Sequence, residues 1–397
     1  MRRVVVIGGG AAGCFASIEI RRLHPDWEVT LLEAGPRLLA KVAVTGGGRC
    51  NLTNSFDGVE DLRKVYPRGA QLMKRALRVF SPQDTMRWFE AEGVALVVQS
   101  DHCVFPASQD AMQIVRTLER ALRRSGVRIV TDARVTNIET GYTVRTEQAE
   151  YPADAVLVTT GGSPKAAGLG FLSPLGLETV EPVPSLFTLR VDDPGLRGLM
   201  GTLAEVTLSL PGTPFRSEGT LLLTDWGISG PATLRLSSYA ARYLAEKQYR
   251  GVNVQIDWLC GERAEEVLAD LVAGNPRKAL SSVRPAGITA RLWEHLLGRA
   301  GLREGIRCAE IGSRGLARLA ETLRSDQYPL SGRVHFKEEF VTCGGVSLSE
   351  ITLSTLEAKR CPGLFFAGEV LDVDAVTGGY NLQAAWSMGT VAARSIK

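Results

Sequence analysis

Three glycines spaced Gly8-x-Gly10-x-x-Gly13 stand between the β-branched run Val4-Val-Val-Ile7 and a helix-forming stretch, and an acid, Glu33, closes a second apolar run, Val29-Thr-Leu-Leu. In that order these residues can hold a dinucleotide phosphate. The first glycine permits a tight turn, the second lets backbone approach a pyrophosphate, and the third brings the helix close against the strand. The helix N-terminus adds free N–H donors and the positive end of its dipole. Glu33 lies twenty residues beyond Gly13, where a carboxylate at a strand tip can accept from both ribose hydroxyls and disfavours a 2′-phosphate. The expected ligand is FAD or NAD.

A second stretch departs from an ordinary NAD domain. After Arg37 comes Lys41-Val-Ala-Val-Thr-Gly-Gly-Gly-Arg-Cys-Asn-Leu-Thr-Asn54. Three consecutive glycines are costly to order, and they make sense where backbone must lie flat against a planar ligand or wrap a phosphate. Lys41 and Arg49 add charge for a pyrophosphate or for the N1–C2=O edge of a flavin. Near the C-terminus, Leu364-Phe-Phe-Ala-Gly368-Glu369 reads as a buried strand ending at a ligand, and Gly378-Gly379-Tyr380-Asn381 opens a final helix. The N–H groups of that helix can face the flavin O2 side.

Three residue types near these motifs could move a proton. Cys50, and less so Cys343, could act as proton donor or thiol nucleophile, although a small buried hydrophobe is the commoner role of cysteine. Asp225 could be a general acid if burial raises its pKa, or it could cap a turn before Trp226-Gly227. Tyr380 could donate over the ring or serve structure. A disulfide reductase is excluded, because Cys50 lacks a partner at Cys-x4-Cys spacing. No second Gly-x-Gly-x-x-Gly follows Gly13, so NAD(P)H as electron donor would dock transiently.

The elements that must position these residues follow from the periodicity. Helical patterns run through 69–92 and 108–125, short strands through 127–130 and 133–138, and a parallel-type strand through 154–158 leading to Thr-Thr-Gly-Gly-Ser163. From about 186 the period becomes two, in Ala204-Glu-Val-Thr-Leu-Ser-Leu210 and Asn253-Val-Gln-Ile-Asp257. Helical periodicity returns at 262–271, 289–299 and 314–323. Arg333-Val-His-Phe336 and Glu339-Phe-Val-Thr342 read as strands leading back to the first domain. The fold class is α/β: a discontinuous Rossmann-type FAD-binding domain at 1–185 plus 331–397, an inserted antiparallel β-barrel at 186–260 and a small helical subdomain at 261–330. The insertion is expected to roof the isoalloxazine, with the substrate between 224–231 and the glycine-rich motifs.

Composition agrees with a cytoplasmic enzyme. A chain of 397 residues with 45% hydrophobic content can bury a large core. Seven cysteines without a Cys-x-x-Cys pair, and four scattered histidines, argue for reduced thiols and against a metal site. Met1-Arg2-Arg3 imitates a signal peptide, but the apolar run behind it is the nucleotide strand, and no segment is apolar enough to span a membrane. A net charge of +3 is too mild to announce nucleic-acid binding, although Arg116, Arg120, Arg123, Arg124 and Arg128 crowd one helix end and Arg63, Lys64, Arg68, Lys74, Arg75 and Arg78 another segment. A solvated basic face is the plainer reading of both.

Gly46-Gly-Gly-Arg-Cys-Asn-Leu-Thr-Asn54, Val341-Thr-Cys-Gly-Gly-Val346, and Gly368-Glu-Val-Leu-Asp-Val-Asp374 leading to Thr377-Gly-Gly-Tyr-Asn-Leu-Gln383 together resemble the BaiN-type, aminoacetone-oxidase-like family of FAD-binding flavoproteins. The resemblance covers essentially the whole chain and implies the three-part architecture above, with non-covalent FAD. It implies FAD contacts from Gly8, Gly10, Ala12, Gly13, Glu33, Arg37, Lys41, Gly48, Arg49, Cys50, Asn51, Val135, Gly161, Gly368, Glu369, Asp372, Gly379, Asn381 and Leu382. The family's reactions include reduction of conjugated C=C bonds, in steroid-like enones or a uracil ring of ribosomal RNA, and oxidation of a small aminoketone. Where the family often has Thr-His before Gly-x-Ser-Gly-Pro, this chain has Thr224-Asp225-Trp226 before Gly227-Ile-Ser-Gly-Pro231, so a histidine-dependent proton transfer is not carried over. The expected activity is a flavin-dependent reductase acting on a small molecule or ribosomal RNA. Its alternatives are a flavin oxidase of a small amine, and an RNA- or ribosome-associated binding protein with a mainly structural FAD.

Overall fold

Val4, Val5, Val6 and Ile7, every one of them buried, form the Arg3–Ile7 strand, the middle one of five parallel strands in a seven-stranded sheet. The structure is a computed structural model that describes residues 1–163, 165–334 and 341–397. The sheet order is Ile351–Thr352, Glu357–Ala358, Leu364–Phe366, Ala155–Val158, Arg3–Ile7, Glu28–Leu32 and Arg128–Val130. The last five strands are parallel, and their register aligns Phe366, Val158, Ile7, Leu32 and Val130 at a common C-terminal edge. Continuous apolar runs such as Ala155–Val158 suit a sheet covered on both faces.

The Ala11–Leu23 and Tyr380–Ser395 helices pack against each other beside this sheet, so closely that a Cβ on Gly389 would lie 2.9 Å from the Ala12 carbonyl oxygen. Phe15 is surrounded by the rings of Phe80, Trp88 and Trp386 at centroid distances of 4.8 to 5.4 Å. Residues 383–393 of the final helix are buried on all sides, so its polar side chains need internal partners. Gln383 has them: its Oε1 accepts from Thr53 Oγ1 at 2.6 Å and Thr85 Oγ1 at 2.8 Å, and its Nε2 donates to Ser387 Oγ at 2.9 Å.

The helical run expected over 69–92 is two helices, Ala70–Val79 and Pro82–Ala91. Ser81 divides them by a reciprocal cap with Asp84, followed by a proline at the first helical position. Two small antiparallel sheets complete this unit. Thr53–Asn54, Cys103–Pro106 and Leu96–Val98 form one, and Val135–Ile138, Thr143–Thr146 and Glu150–Pro152 the other.

The chain divides into two compact units, one of residues 1–184 with 341–397, the other containing the described residues from 185 to 334. In the second unit the alternating segments form a seven-stranded antiparallel sheet running from Asp326–Pro329 to Gly332–Arg333. Those two end strands are separated by only Leu330 and Ser331, whose N–H groups donate to Val252 O and Arg190 O on the two sides, so the sheet curls back on itself as a barrel would, although among the described residues no ladder pairs one end strand with the other. Nor does a boundary fall near 260. Leu268, Leu292, Trp293, Leu296 and Leu319 from the Ala264–Gly274, Ala290–Arg299 and Gly312–Ser325 helices share one apolar core with Val206, Leu208, Leu223 and Ile256 of the sheet. Two further helices, Pro231–Tyr239 and Ala241–Lys247, interrupt the strands where the alternating pattern gave no sign of them. Of the two strands expected near 333 and 341, residues 335–340 lie outside the described ones. Gly332–Arg333 pairs with Leu189–Arg190, and Val341–Val346 with Thr179–Ser185.

A Cβ on Gly13 would lie 2.0 Å from the Gly8 carbonyl oxygen and 2.4 Å from Thr159 Oγ1. Gly13→Ala must therefore lift the first helix off the sheet, at a cost of about 1–3 kcal/mol for overpacking. Denaturant unfolding should show a lowered midpoint at unchanged slope; a wild-type midpoint would show that the helix does not depend on this approach.

Candidate cofactor-binding site

Each fingerprint glycine meets a different surrounding. Gly8, at φ +108°, donates its N–H to Leu32 O at 2.7 Å, and a Cβ on it would sit 2.5 Å from the Thr159 carbonyl oxygen. Gly13 is filled by its neighbours, as described. Around Gly10 a Cβ would meet nothing within 4 Å, and as N-cap it leaves the Ala11–Leu23 helix without a side-chain cap. This bare helix start faced by open space is what a pyrophosphate requires.

Glu33 follows the Glu28–Leu32 strand with Oε2 accepting from Gly9 N–H at 2.7 Å and Oε1 from Gly35 N–H at 2.8 Å. The carboxylate thus also holds the glycine turn itself. Each oxygen retains a lone pair for a ribose hydroxyl. Beside it lies a cavity of about 220 Å³ lined by Gly8, Leu32, Glu33, Ala133, Arg134, Val135, Gly161, Gly162 and Phe171. It opens at the C-terminal edge of the parallel strands, where nucleotides bind in such sheets. Gly161, at φ +73°, has nothing within 4 Å of its Cβ position. Turn, bare helix start and cavity fit the adenosine and pyrophosphate of FAD.

The remaining motifs come from opposite ends of the chain. Gly46, Gly47 and Gly48 are all left-handed, at φ +58°, +68° and +82°, and break the Ala40–Gly48 helix. Arg49 is exposed with its guanidinium 4.6 Å from the Phe105 ring centre. With its amide turned to satisfy both ends, Asn51 accepts from Gly379 N–H at 3.1 Å and donates to Thr53 O at 2.9 Å. Asn54 Nδ2 donates to Gly378 O at 3.1 Å. Lys41 Nζ stands 3.6 Å from Glu369 Oε2, while Glu369 Oε1 accepts from Thr342 N–H at 2.6 Å. Gly368, at φ +84°, passes close to Ala12. Arg37 is exposed, and Asp372 and Leu382 are half-buried. The final helix, like the first, starts at a glycine with no side-chain cap, Gly379.

Three expectations change. Asn381 spends its amide on its own loop, accepting from Ala375 N–H and donating to Ala375 O, both at 2.9 Å, so it shapes the loop. Cys50, at φ +61°, is 0% exposed, and burial pushes its thiol up to about 12. It has no surface for a ligand and stays protonated at neutral pH, which removes the nucleophile. Asp225 is exposed in the two-residue turn between Arg216–Thr224 and Gly227–Ser229, without the burial that would make it an acid. Tyr380 is half-buried, its ring edge-on to Phe56 at 5.1 Å. Sequence reasoning gave no role to Tyr66, Asn54, Asp374 or Thr342, whose partners Tyr380, Gly378, Arg68 and Glu369 are distant in the chain and announced by no spacing.

Most arginines of the basic helix have an acceptor close by. Arg116 lies 3.9 Å from Asp110, Arg123 3.8 Å from Glu119 and Arg124 2.5 Å from Glu92, and Arg120 donates to Glu92 O at 3.0 Å. Among the described residues no group of three or more His, Cys, Asp or Glu could hold a metal ion, and no helix is long and apolar enough to cross a membrane.

The family model described as HI0933-like protein Rossmann domain matches residues 2–395. A 3-dehydro-bile acid delta(4,6)-reductase of Clostridium scindens is 28% identical over 416 aligned positions, covering 100% of this chain and 99% of its own. A ribosomal RNA dihydrouridine synthase of Haemophilus influenzae is also 28% identical, covering 99% and 98%. Among solved structures, the 3-ketosteroid delta1-dehydrogenase of Sterolibacterium denitrificans superposes with TM-score 0.51 at 13% identity, over 100% of this chain and 99% of that one, a likeness of fold.

Two outcomes follow from this geometry. Gly10→Val places a side chain in the open space over the helix start, so the variant should fold yet carry no flavin, read from absorbance and thermal melting. Retained flavin would move the pyrophosphate elsewhere. Because the thiolate is the reactive form, a thiol held up to about 12 should label slowly at neutral pH and faster as pH rises. Peptide mapping should find exposed Cys260 labelled well before Cys50 in native protein, a difference that guanidinium abolishes.

Proposed function

The chain belongs to the HI0933-like family of FAD-binding Rossmann-domain oxidoreductases, and from that premise we propose that it reduces an electron-poor C=C bond conjugated with a carbonyl. The observation that carries the reading is the pair of full-length relatives: one is named for a bile acid and the other for RNA. Formation of dihydrouridine saturates one C=C bond beside a carbonyl, as does reduction of an enone. The shared chemistry supports the reaction class while leaving the substrate to experiment.

Bound FAD would supply hydride transfer to the β-carbon of such a bond. The protein's part is holding and orienting. The Gly8, Gly10 and Gly13 turn with the first helix N-terminus would bind the pyrophosphate non-covalently, and Glu33, Val135 and Gly161 the adenosine. Lys41, Gly48, Arg49 and the Gly379 to Leu382 helix start would flank the ring. Tyr380 is the proton donor we propose for the α-carbon, since Cys50 is sealed in the core and Asp225 stands in solvent. NAD(P)H would be the transient electron donor.

Released flavin should be FAD by chromatography. Anaerobic NAD(P)H should bleach it, with slow reoxidation in air; rapid peroxide release would instead favour oxidation of a small amine, and an inert flavin a structural role in an RNA-associated protein. Mass-spectrometric comparison of metabolites and ribosomal RNA from cells with and without the protein identifies the substrate. On that substrate Tyr380→Phe should lower turnover by roughly 10²-fold with FAD content unchanged, while Cys50→Ser keeps its rate. Full activity in Tyr380→Phe would move the acid to another group or to water.

A further inference from the structure

Asp374 is 1% exposed, and its carboxylate takes the Arg68 guanidinium as a fork: Nε donates to Oδ1 at 2.6 Å and a terminal nitrogen to Oδ2. Removing two charges from water is unfavourable unless the pairing is bidentate and further bonds complete it. Here the backbone completes it. Residues 68 and 374 form an isolated antiparallel bridge, and Val376 N–H donates to Val65 O at 2.9 Å. Gly69, at φ +79°, admits Val373 so closely that a Cβ would lie 2.5 Å from its side chain.

Asp374 begins the run that opens the final helix, and the far end of that run is held as firmly. Asn381 bridges both polar groups of Ala375, Asn54 holds Gly378 O, and Asn51 accepts from Gly379 N–H. Fully buried Tyr66 donates to Tyr380 O at 2.9 Å; burial pushes its pKa well above the usual tyrosine range, so the donor proton stays in place.

We infer that Arg68 and Asp374 are a positioning pair, whose bidentate contact fixes where the 374–381 run lies and so where Tyr380 and the N-terminus of the final helix are presented to the cofactor. The inference rests on the FAD reading above. Thr377-Gly378-Gly379 is intrinsically loose, and a loop ordered before binding spares the ligand that ordering. A guanidinium fork fixes direction as well as distance, which a lysine ammonium cannot do. Apolar residues of similar volume would serve the core alone as well or better.

The test separates fold from position. In Arg68→Met with Asp374→Leu both charges leave together, so neither is stranded, and the thermal midpoint should stay near wild type. FAD affinity of the refilled apoprotein should nevertheless weaken by roughly 10-fold or more, and the visible band of bound flavin should shift. A wild-type dissociation constant and spectrum in that variant would overturn the inference and leave a purely structural pair. Should the double variant not fold, Arg68→Lys decides, because it keeps the charge and loses the fork. Weaker FAD binding with an altered spectrum at a preserved midpoint supports positioning, and unchanged binding overturns it. A wild-type protein that binds no FAD would instead overturn the reading beneath.

Discussion

The close approach of three backbone segments at Gly8, Gly13 and Thr159 is the constraint on which the nucleotide-binding unit depends. Thr159 donates its N–H to Ile7 O at 2.8 Å and its hydroxyl lies within 3.0 Å of both Ile7 O and Gly8 O. With Gly13 pressed onto the same carbonyl, the first helix is set closely against two parallel strands, with the Thr159 hydroxyl at the contact. That geometry puts the helix start and the cavity beside Glu33 at one edge of the sheet. A binding site made of backbone at such an edge is rigid because the strands behind it are buried on both faces.

The rest of the site is assembled across the chain by buried amides more than by charge. Asn51, Asn54 and Gln383 join residues more than three hundred positions apart, and Trp386 donates to Leu52 O at 3.0 Å. Their partners are removed from water, where leaving one donor unmatched costs about 1–3 kcal/mol. The exposed ion pairs of the basic helix are of a different kind. In high dielectric each contributes about 0–1 kcal/mol, so they solubilise the surface more than they define it.

The second unit shows the same economy around one buried acid. Asp326 is 3% exposed, and accepts from Trp258 Nε1 at 3.1 Å, Tyr328 Oη at 2.7 Å and Arg299 Nε at 3.0 Å. These donors come from a strand end, an edge strand and a helix, so the acid ties the helical layer to the sheet. A sheet and helices sharing both a polar knot and an apolar core behave as one unit, which is why no division falls between them.

What the sequence determined by itself was the local chemistry: Gly8, Gly10, Gly13 and Glu33 specify a strand, turn, helix and acid within one short span, and such a span carries its own geometry. The glycine runs at 46–48 and 378–379 likewise announced backbone of positive φ, which side chains rarely adopt. Only the tertiary structure decided which residues have surface and which are sealed. Cys50 and Asp225 carry the right functional groups, yet one is enclosed by the core and the other projects from a hairpin, and burial is a property of neighbours distant in sequence. Asn381 is spent on its own loop, and Arg68 meets Asp374 across 306 positions. Periodicity reports which face of an element is apolar, but contacts closed over long separations arise only once the whole chain has packed.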